Sequence, residues 1–383
     1  MLTPRERVVT SMKREVPDRV PKYADFSPGI YERFLVESGF GLPERAIEEA
    51  KGRPLVTFQS ELGLPDPADY FSYDVRVVEF AQTDLNTDFS PFFAPDQLPE
   101  GHSRIDEWGI GYVRGSEHHF EKIVHPMANF TRLDDLEDYP WPDVTASYRR
   151  DFGRELVEQV HQKDLAVLAW PPMKGGTIFE TAWGLRGFEQ LIIDMMTDKD
   201  FAACLLDKIT ALSTANARYF AACGVDVLLT GDDFGMQDRM MISPNMWQEW
   251  FRPRYADLIA SVKAVNREAL VFYHSDGMIE PIIPELIEIG VDILNPVQPE
   301  CMDPQKIYRQ YGDQLAFWGT IGTQSTMPFG SAAEVKAVVK ERIETIGRDG
   351  GLLLAPTHKL EPDVPWENVL AFFEAVEEYG AYE

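Results

Sequence analysis

From residue 146 onward one pattern repeats and limits what the chain can fold into. Continuous apolar runs of strand length recur at 165–170, 225–230, 270–273, 291–295, 315–318 and 352–355. Helical stretches at 147–163, 186–194, 198–222, 243–265, 279–289, 303–311 and 331–347 separate them. A strand apolar on both faces is buried on both faces, which is the signature of a parallel sheet covered by helices. Alternating strands and helices over such a length define an α/β fold. A short strand at Arg19–Asp25 and another before residue 146 bring the count to about eight. Eight strands predict a (β/α)8 TIM barrel rather than an open doubly wound sheet. No GxGxxG follows any run, so the dinucleotide-binding fingerprint is absent.

The N-terminal part predicts an elaboration on that barrel. Thr3 and Pro4 make a helix start, with Thr3 as N-cap and Val8, Val9 and Met12 at helical spacing. Residues 29–51 read as helix. Residues 70–145 read as a β-rich excursion, from the alternating runs around Val75–Val78, Ile105–Val113 and Phe120–Val124, with Pro140-Trp141-Pro142 marking its end. No linker or repeat divides the chain, so residues 1–383 are expected to form a single domain.

Charge and composition exclude several functions. The 383 residues carry 63 acids against 36 bases, a net charge of −27. Nucleic acid and anionic membrane surfaces would both be repelled. No uncharged apolar run reaches the roughly 20 residues of a membrane helix. The N-terminus is charged from Arg5 and has no apolar signal core. Three cysteines, Cys204, Cys223 and Cys301, cannot build a disulfide framework. The expectation is a cytoplasmic protein, with Cys204 and Cys223 as core residues.

Chemistry in a barrel sits where strands end. The runs lead into Met173-Lys174, Gly231-Asp232-Asp233, His274-Ser275-Asp276, Asn295 through Gln298 to Cys301, Trp318-Gly319 and Thr357-His358-Lys359. His274, Cys301 and His358 form a candidate metal set, because imidazole and thiolate suit zinc, and a catalytic zinc needs about three protein ligands and one open position. The alternative for His274 is a hydrogen-bonding histidine at a strand end, with metal ligation the favoured reading. Asp276 is either a ligand or a partner that orients one. Asp232 and Asp233 are candidates for general acid or base, cation partner or loop cap. Adjacent carboxylates rarely point the same way, so one of them is expected to face the cavity. Met173, Trp318, Gln298 and Asn295 are candidate substrate contacts.

Six segments together resemble the uroporphyrinogen decarboxylase superfamily: RERVVTSMKREVPDRVP, TGDDFG, ISPNMWQEWFRPRY, FYHSDGMIEPIIPELIEIGVDILNPVQP, FWGTIGTQ and GGLLLAPTHKLEPDVPWENV. The resemblance spans nearly the whole chain and implies a (β/α)8 barrel. True decarboxylases of that superfamily carry an N-terminal Arg-Gln-Ala-Gly-Arg element for porphyrinogen carboxylates. The corresponding region here reads VPKYADFSPGIYERF, and only Lys174 and Lys359 supply cations at strand ends. The other arm contains corrinoid-dependent methyltransferases, which resemble zinc enzymes with a His-x-Cys-Gly motif and a later cysteine. His274 matches the family histidine, Asp276 stands at the first cysteine and His358 at the last. Losing thiolates implies a harder site, suited to an ether oxygen rather than a thiol. The resemblance therefore implies methyl transfer from a small methylated, O-methyl substrate to cobalt, with zinc as cofactor. The corrinoid (cobalamin) would be carried by a separate protein, since no Asp-x-His-x-x-Gly element is present. Expected partners are that corrinoid protein, the methylated substrate and, as an oligomeric option, a second copy in a homodimer. The alternatives are a porphyrinogen-type decarboxylase and a non-catalytic tetrapyrrole-binding barrel.

Overall fold

The computed structural model describes residues 1–42, 63–81, 83, 85–94, 96–98, 103–114, 121–170 and 176–382. Ten strands are labelled in chain order. They are β1 (Val75–Glu79), β2 (Ser103–Ile105), β3 (Gly111–Arg114), β4 (Glu121–Val124), β5 (Ala166–Trp170), β6 (Val227–Gly231), β7 (Leu270–His274), β8 (Ile293–Asn295), β9 (Ala316–Ile321) and β10 (Leu352–Pro356). Seven of them form one parallel sheet in the order β1-β5-β6-β7-β8-β9-β10. Every apolar run in the sequence coincides with one of these strands, within three residues at each end.

The eighth place in the ring is filled by the segment 20–26, between β10 and β1. Lys22 bridges Leu354 in parallel. Tyr23 N donates to Leu354 O at 3.0 Å and Leu354 N donates to Pro21 O at 2.9 Å. The sheet thus closes into a (β/α)8 barrel. The segment pairs through isolated bridges only, not as the continuous strand expected at Arg19–Asp25. A buried carboxylate holds it instead. Asp74 is fully buried and accepts from Arg7 Nη1 at 2.7 Å, from both terminal nitrogens of Arg19 and from Lys22 N at 3.1 Å. Arg7 also forks onto Asp18.

Strand residues alternate between the barrel interior and the helix layer. Val75, Leu168, Val227, Leu270, Phe272, Ile293, Trp318 and Leu353 pack inside the ring as one cluster. The helix Pro4–Met12 plugs the N-terminal end, with Val8 and Met12 fully buried in that same cluster. Its start is the expected one: Thr3 accepts from Glu6 N, and the Glu6 side chain accepts from Thr3 N, closing a capping box. The opposite residues of each strand face the helices and form the larger core.

The β-rich excursion is smaller than the sequence suggests. Among the described residues, β2, β3 and β4 form the separate antiparallel sheet. Val75–Glu79 pairs with β5 and belongs to the barrel. Its alternation of polar and apolar residues made it resemble a half-exposed strand, because Arg76 and Glu79 stand near the two ends of the barrel wall. The helix expected over 29–51 is seen as Pro28–Glu37, and residues 43–62 lie outside the described residues. The helix Phe179–Arg186 was not anticipated.

The Asp74 cluster carries two predictions. Asp74→Ala removes the carboxylate shared by Arg7 and Arg19, leaving the buried Arg7 Nη1 unpaired while Asp18 keeps the rest of the guanidinium, and should cost about 3–5 kcal/mol in urea unfolding. The hydrogen bond from Arg7 lowers the Asp18 carboxyl to about 2, with burial opposing it and the Arg7 charge assisting. A depressed folded-state pKa contributes stability that is present above the unfolded value near 4 and lost as pH falls toward 2. The urea midpoint of Asp18→Asn should therefore depend less steeply on pH over that window than the parent's.

Candidate functional site at the barrel mouth

The same two-residue period that fills the barrel also sets the layer above it. Two residues after Phe272 comes His274; after Ile293, Asn295; after Leu229, Gly231; after Leu168, Trp170; after Ala355, Thr357; and after Tyr23, Asp25. All six of these upper residues line one cavity of about 150 Å³ at the C-terminal ends of the strands. Val77, Leu168, Leu229, Phe272, Trp318 and Ala355 form its apolar floor, and His358 and Lys359 complete the rim. A cavity of roughly this volume accommodates a single benzene ring. A wider groove of about 800 Å³ runs between residues 83–107 and Trp141, away from the strand ends.

His274 stands at the centre of the polar layer. Its Nδ1 lies 2.5 Å from Asn295 Oδ1, while Asn295 Nδ2 donates to Trp318 O at 2.7 Å. The amide is thereby oriented with its oxygen toward the ring, so Nδ1 carries a proton and, in the neutral imidazole, Nε2 holds the free lone pair. That nitrogen lies 3.5 Å from Asp233 Oδ1, which also accepts Asp276 N at 2.7 Å. One ligand atom each from Asp233, His274 and Asp276 lies within 4.8 Å of the others. Burial pushes the His274 imidazole down, but the charges of Asp276 and Asp233 and the bond to Asn295 outweigh it and raise its pKa. Burial likewise raises the Asp276 carboxyl, with His274 opposing.

A divalent cation fits this arrangement. Asp276 Oδ1 is buried with no hydrogen-bond partner, and a buried carboxylate oxygen left unpaired is costly unless a cation or donor meets it. Imidazole nitrogen and carboxylate oxygen are both zinc donors, and three protein ligands with one position left open is the number a catalytic zinc uses. Asn295 supplies the outer contact that metal-bound histidines usually make.

Strand parity separates the two neighbouring aspartates. Asp233 continues the inward series of Val227, Leu229 and Gly231. Asp232 continues the outward one and is fully buried. It accepts from the backbone N–H groups of Ile178, Phe179 and Glu180 and from the Tyr255 hydroxyl. Asp232 is thus the carboxylate cap of the helix Phe179–Arg186, a favourable place for negative charge, and its oxygens are already occupied. Burial raises it to about 6, against the lowering effect of those donors. Gly176 makes this cap approachable: a Cβ there would lie 2.0 Å from Asp232 Oδ1. Glu180, on the capped helix, accepts Asp233 N with Oε2 at 3.1 Å. Burial, then the charges of Asp233 and Asp232, lift its carboxyl to about 8.

The other expected site residues fall as follows. Trp318 is in the cavity floor and Asn295 orients His274. Gln298 is buried and its Oε1 accepts Gly277 N at 3.2 Å, which shapes the turn after His274. Met173 lies outside the described residues. Cys301 and His358 stand outside the group formed by Asp233, His274 and Asp276. Cys301 sits beyond the turn that follows Asn295 and packs, half-buried, on the hydrophobic core. His358 is exposed and lines the wall across the mouth from His274. Glu180 and Asp25 were passed over in the sequence. Parity from Tyr23 would have found Asp25, whereas no local signal marks Glu180. Cys204 and Cys223 pack on the core as expected. Among the described residues, no helix is long and apolar enough to cross a membrane.

Comparison with known proteins agrees with this architecture. No match is found among curated protein sequences. Among solved structures, a methyltransferase from Methanosarcina mazei is similar over 99% of this chain and 99% of its own, with 18% identity and a TM-score of 0.66. The debranching enzyme of Nostoc punctiforme covers 96% of this chain and 81% of its own at 10% identity, with a TM-score of 0.41. Xylanase 10B from Thermotoga maritima covers 62% and 82% at 9% identity, with a TM-score of 0.38. These last two are too distant to bear on the fold. The family model described as uroporphyrinogen decarboxylase (URO-D) matches residues 111–379. That stretch holds β5 through β10, the helices between them and every residue of the candidate metal group, and the chain belongs to the uroporphyrinogen decarboxylase family.

Proposed function

We propose that the protein is a methyltransferase. It moves a methyl group from a small methoxylated substrate to the cobalt of a corrinoid carried by a separate protein, with zinc held by Asp233, His274 and Asp276. The observation that carries this reading is the convergence of those three side chains at a strand end whose His274 lines a cavity the size of one ring, with Phe272 and Trp318 in its floor. The full-length likeness to a methyltransferase from Methanosarcina mazei supports it. A porphyrinogen has several rings and several carboxylates. Lys359 is the one Lys or Arg lining the cavity among the described residues, and it faces Asp25.

The chemistry asks little of the substrate ring and much of the leaving oxygen. The C–O bond breaks with its electron pair staying on oxygen, the methyl group leaves as CH₃⁺, and reduced cobalt supplies the pair for the new bond. An aryl oxygen released this way is a poor leaving group at neutral pH. A zinc ion would supply Lewis acidity toward the developing negative charge. The chain's own residues do the positioning. Asn295 fixes the His274 tautomer, Glu180 anchors the Asp233 backbone, and Trp170, Phe272 and Trp318 hold the ring beneath the polar layer. Asp232 acts at a distance, by capping the helix that carries Glu180, and is not proposed as proton donor.

Protein prepared without chelators should carry about one zinc per chain by elemental analysis. A folded preparation that holds no metal and takes up none would overturn the zinc assignment. His274→Ala and Asp276→Ala should each lower metal content while the cooperative melt survives, because strand-end residues at a barrel mouth serve function more than stability.

Incubated with a reduced corrinoid protein and a methoxylated aromatic, the protein should methylate cobalt, read from the corrinoid absorption spectrum. Asp233→Asn should slow that step by about 10²–10⁴-fold. Asp232→Asn should instead lower unfolding stability, by about 1.5–3 kcal/mol for one lost charge-assisted bond. Release of CO₂ from uroporphyrinogen without any corrinoid would assign the protein to decarboxylation.

A further inference from the structure

The barrel ring places a second group of charged side chains opposite the first. Counting around the eight positions, the segment 20–26 stands four places from β7. Asp25 therefore faces His274 across the cavity, and both line it. Lys359, at the end of the neighbouring β10, has Nζ 3.7 Å from Asp25 Oδ2. Glu79 ends β1 on the other side of Asp25, in register with the cavity residue Trp170. Glu79 is within electrostatic reach of both Lys359 and Asp25. Burial holds the Asp25 and Glu79 carboxyls above their ordinary range, with Lys359 opposing in both cases. This wall takes no part in holding the metal.

Two carboxylates against one ammonium leave the wall with an excess of negative charge at the rim of an apolar cavity. A like charge brought there within a few ångströms is repelled even with partial screening by solvent. An uncharged hydroxyl meets complementary partners at the same place. It donates to Asp25 and accepts from Lys359, and both side chains are partly solvent-exposed and free to adjust. Exclusion of the wrong ligand by an unpaired like charge is a common source of specificity.

We infer that the Asp25–Lys359 wall selects the substrate by the group opposite its methoxy: a hydrogen-bond donor without negative charge, as in a methoxyphenol, and not a carboxylate, as in a methoxybenzoate. The inference rests on the reading of the cavity as the ring site, but not on methyl transfer itself, since binding alone tests it. Titration calorimetry of the metal-loaded protein with 4-methoxyphenol and 4-methoxybenzoate should show the phenol binding about tenfold tighter or more. Asp25→Asn removes one of the two negative charges and should shift the affinity ratio toward the benzoate by about tenfold. Lys359→Met should shift it the other way. A benzoate that binds as tightly as the phenol, or a ratio that Asp25→Asn leaves unchanged, overturns the inference while the ring site stands. If neither compound binds, the ring site falls and the inference with it.

Discussion

The Asp74 carboxylate is the contact on which the barrel depends. Seven strands pair by continuous ladders, but the eighth position is held by scattered bridges that would not by themselves keep a segment in place. Asp74 gathers Arg7, Arg19 and the Lys22 backbone onto one buried point. The arginines bring with them the plugging helix Pro4–Met12 and the Asp18 turn. The N-terminal run RERVVTSMKREVPDRVP is therefore a closure device. Its apolar residues stop the floor of the barrel, and its charged residues tie the ends of the sheet together. Buried ion pairs seldom add much stability over apolar packing, yet removing one partner is expensive. Here the geometry they impose is also what carries Tyr23 and Asp25 into the cavity.

With closure secured, one periodicity organises the site. The inward series on each strand begins as aliphatic and aromatic packing and ends one step higher as polar groups. The cavity is thus the top of the core left unfilled, with His274, Asn295 and Asp25 where further hydrophobic residues would otherwise stack. Gly231 shows how tight the layer is. It holds φ at +122°, and a Cβ there would lie 2.1 Å from the His274 carbonyl. A side chain at that position would displace the strand end that presents His274.

Charge is distributed in a way that the net value of −27 does not convey. Asp233 and Asp276 pair with His274 and have room for a cation. Asp232 is occupied by a helix N-terminus. Asp25 and Glu79 share Lys359 across the mouth. These are three separate electrostatic arrangements within one ring of strand ends. The group that could hold a metal takes its second carboxylate from Asp233, on the neighbouring strand end, and does not include Cys301 or His358.

The sequence by itself determined the barrel and the strands that build it. An uninterrupted apolar run of strand length has to be buried on both faces, and only a helix-covered parallel sheet does that repeatedly. It also determined that His274 and Asn295 would stand at a mouth, since His274 directly follows one such run and Asn295 ends another. Local pattern failed where a residue's role depends on what lies across the ring. Val75–Glu79 resembled an outlying strand because its polar residues mark the barrel's ends. Cys301 and His358 are natural metal ligands by chemistry, but the ligand atoms that converge are those of Asp233, His274 and Asp276, and that convergence depends on neighbouring strand ends rather than on local sequence. Glu180 carries no local mark, because its partner Asp233 is more than fifty residues away and their meeting depends on a helix capped by Asp232. Which side chains share a layer is a property of strand parity and can be read along the chain. Which of them touch is decided only when the ring closes, because closure sets the neighbours.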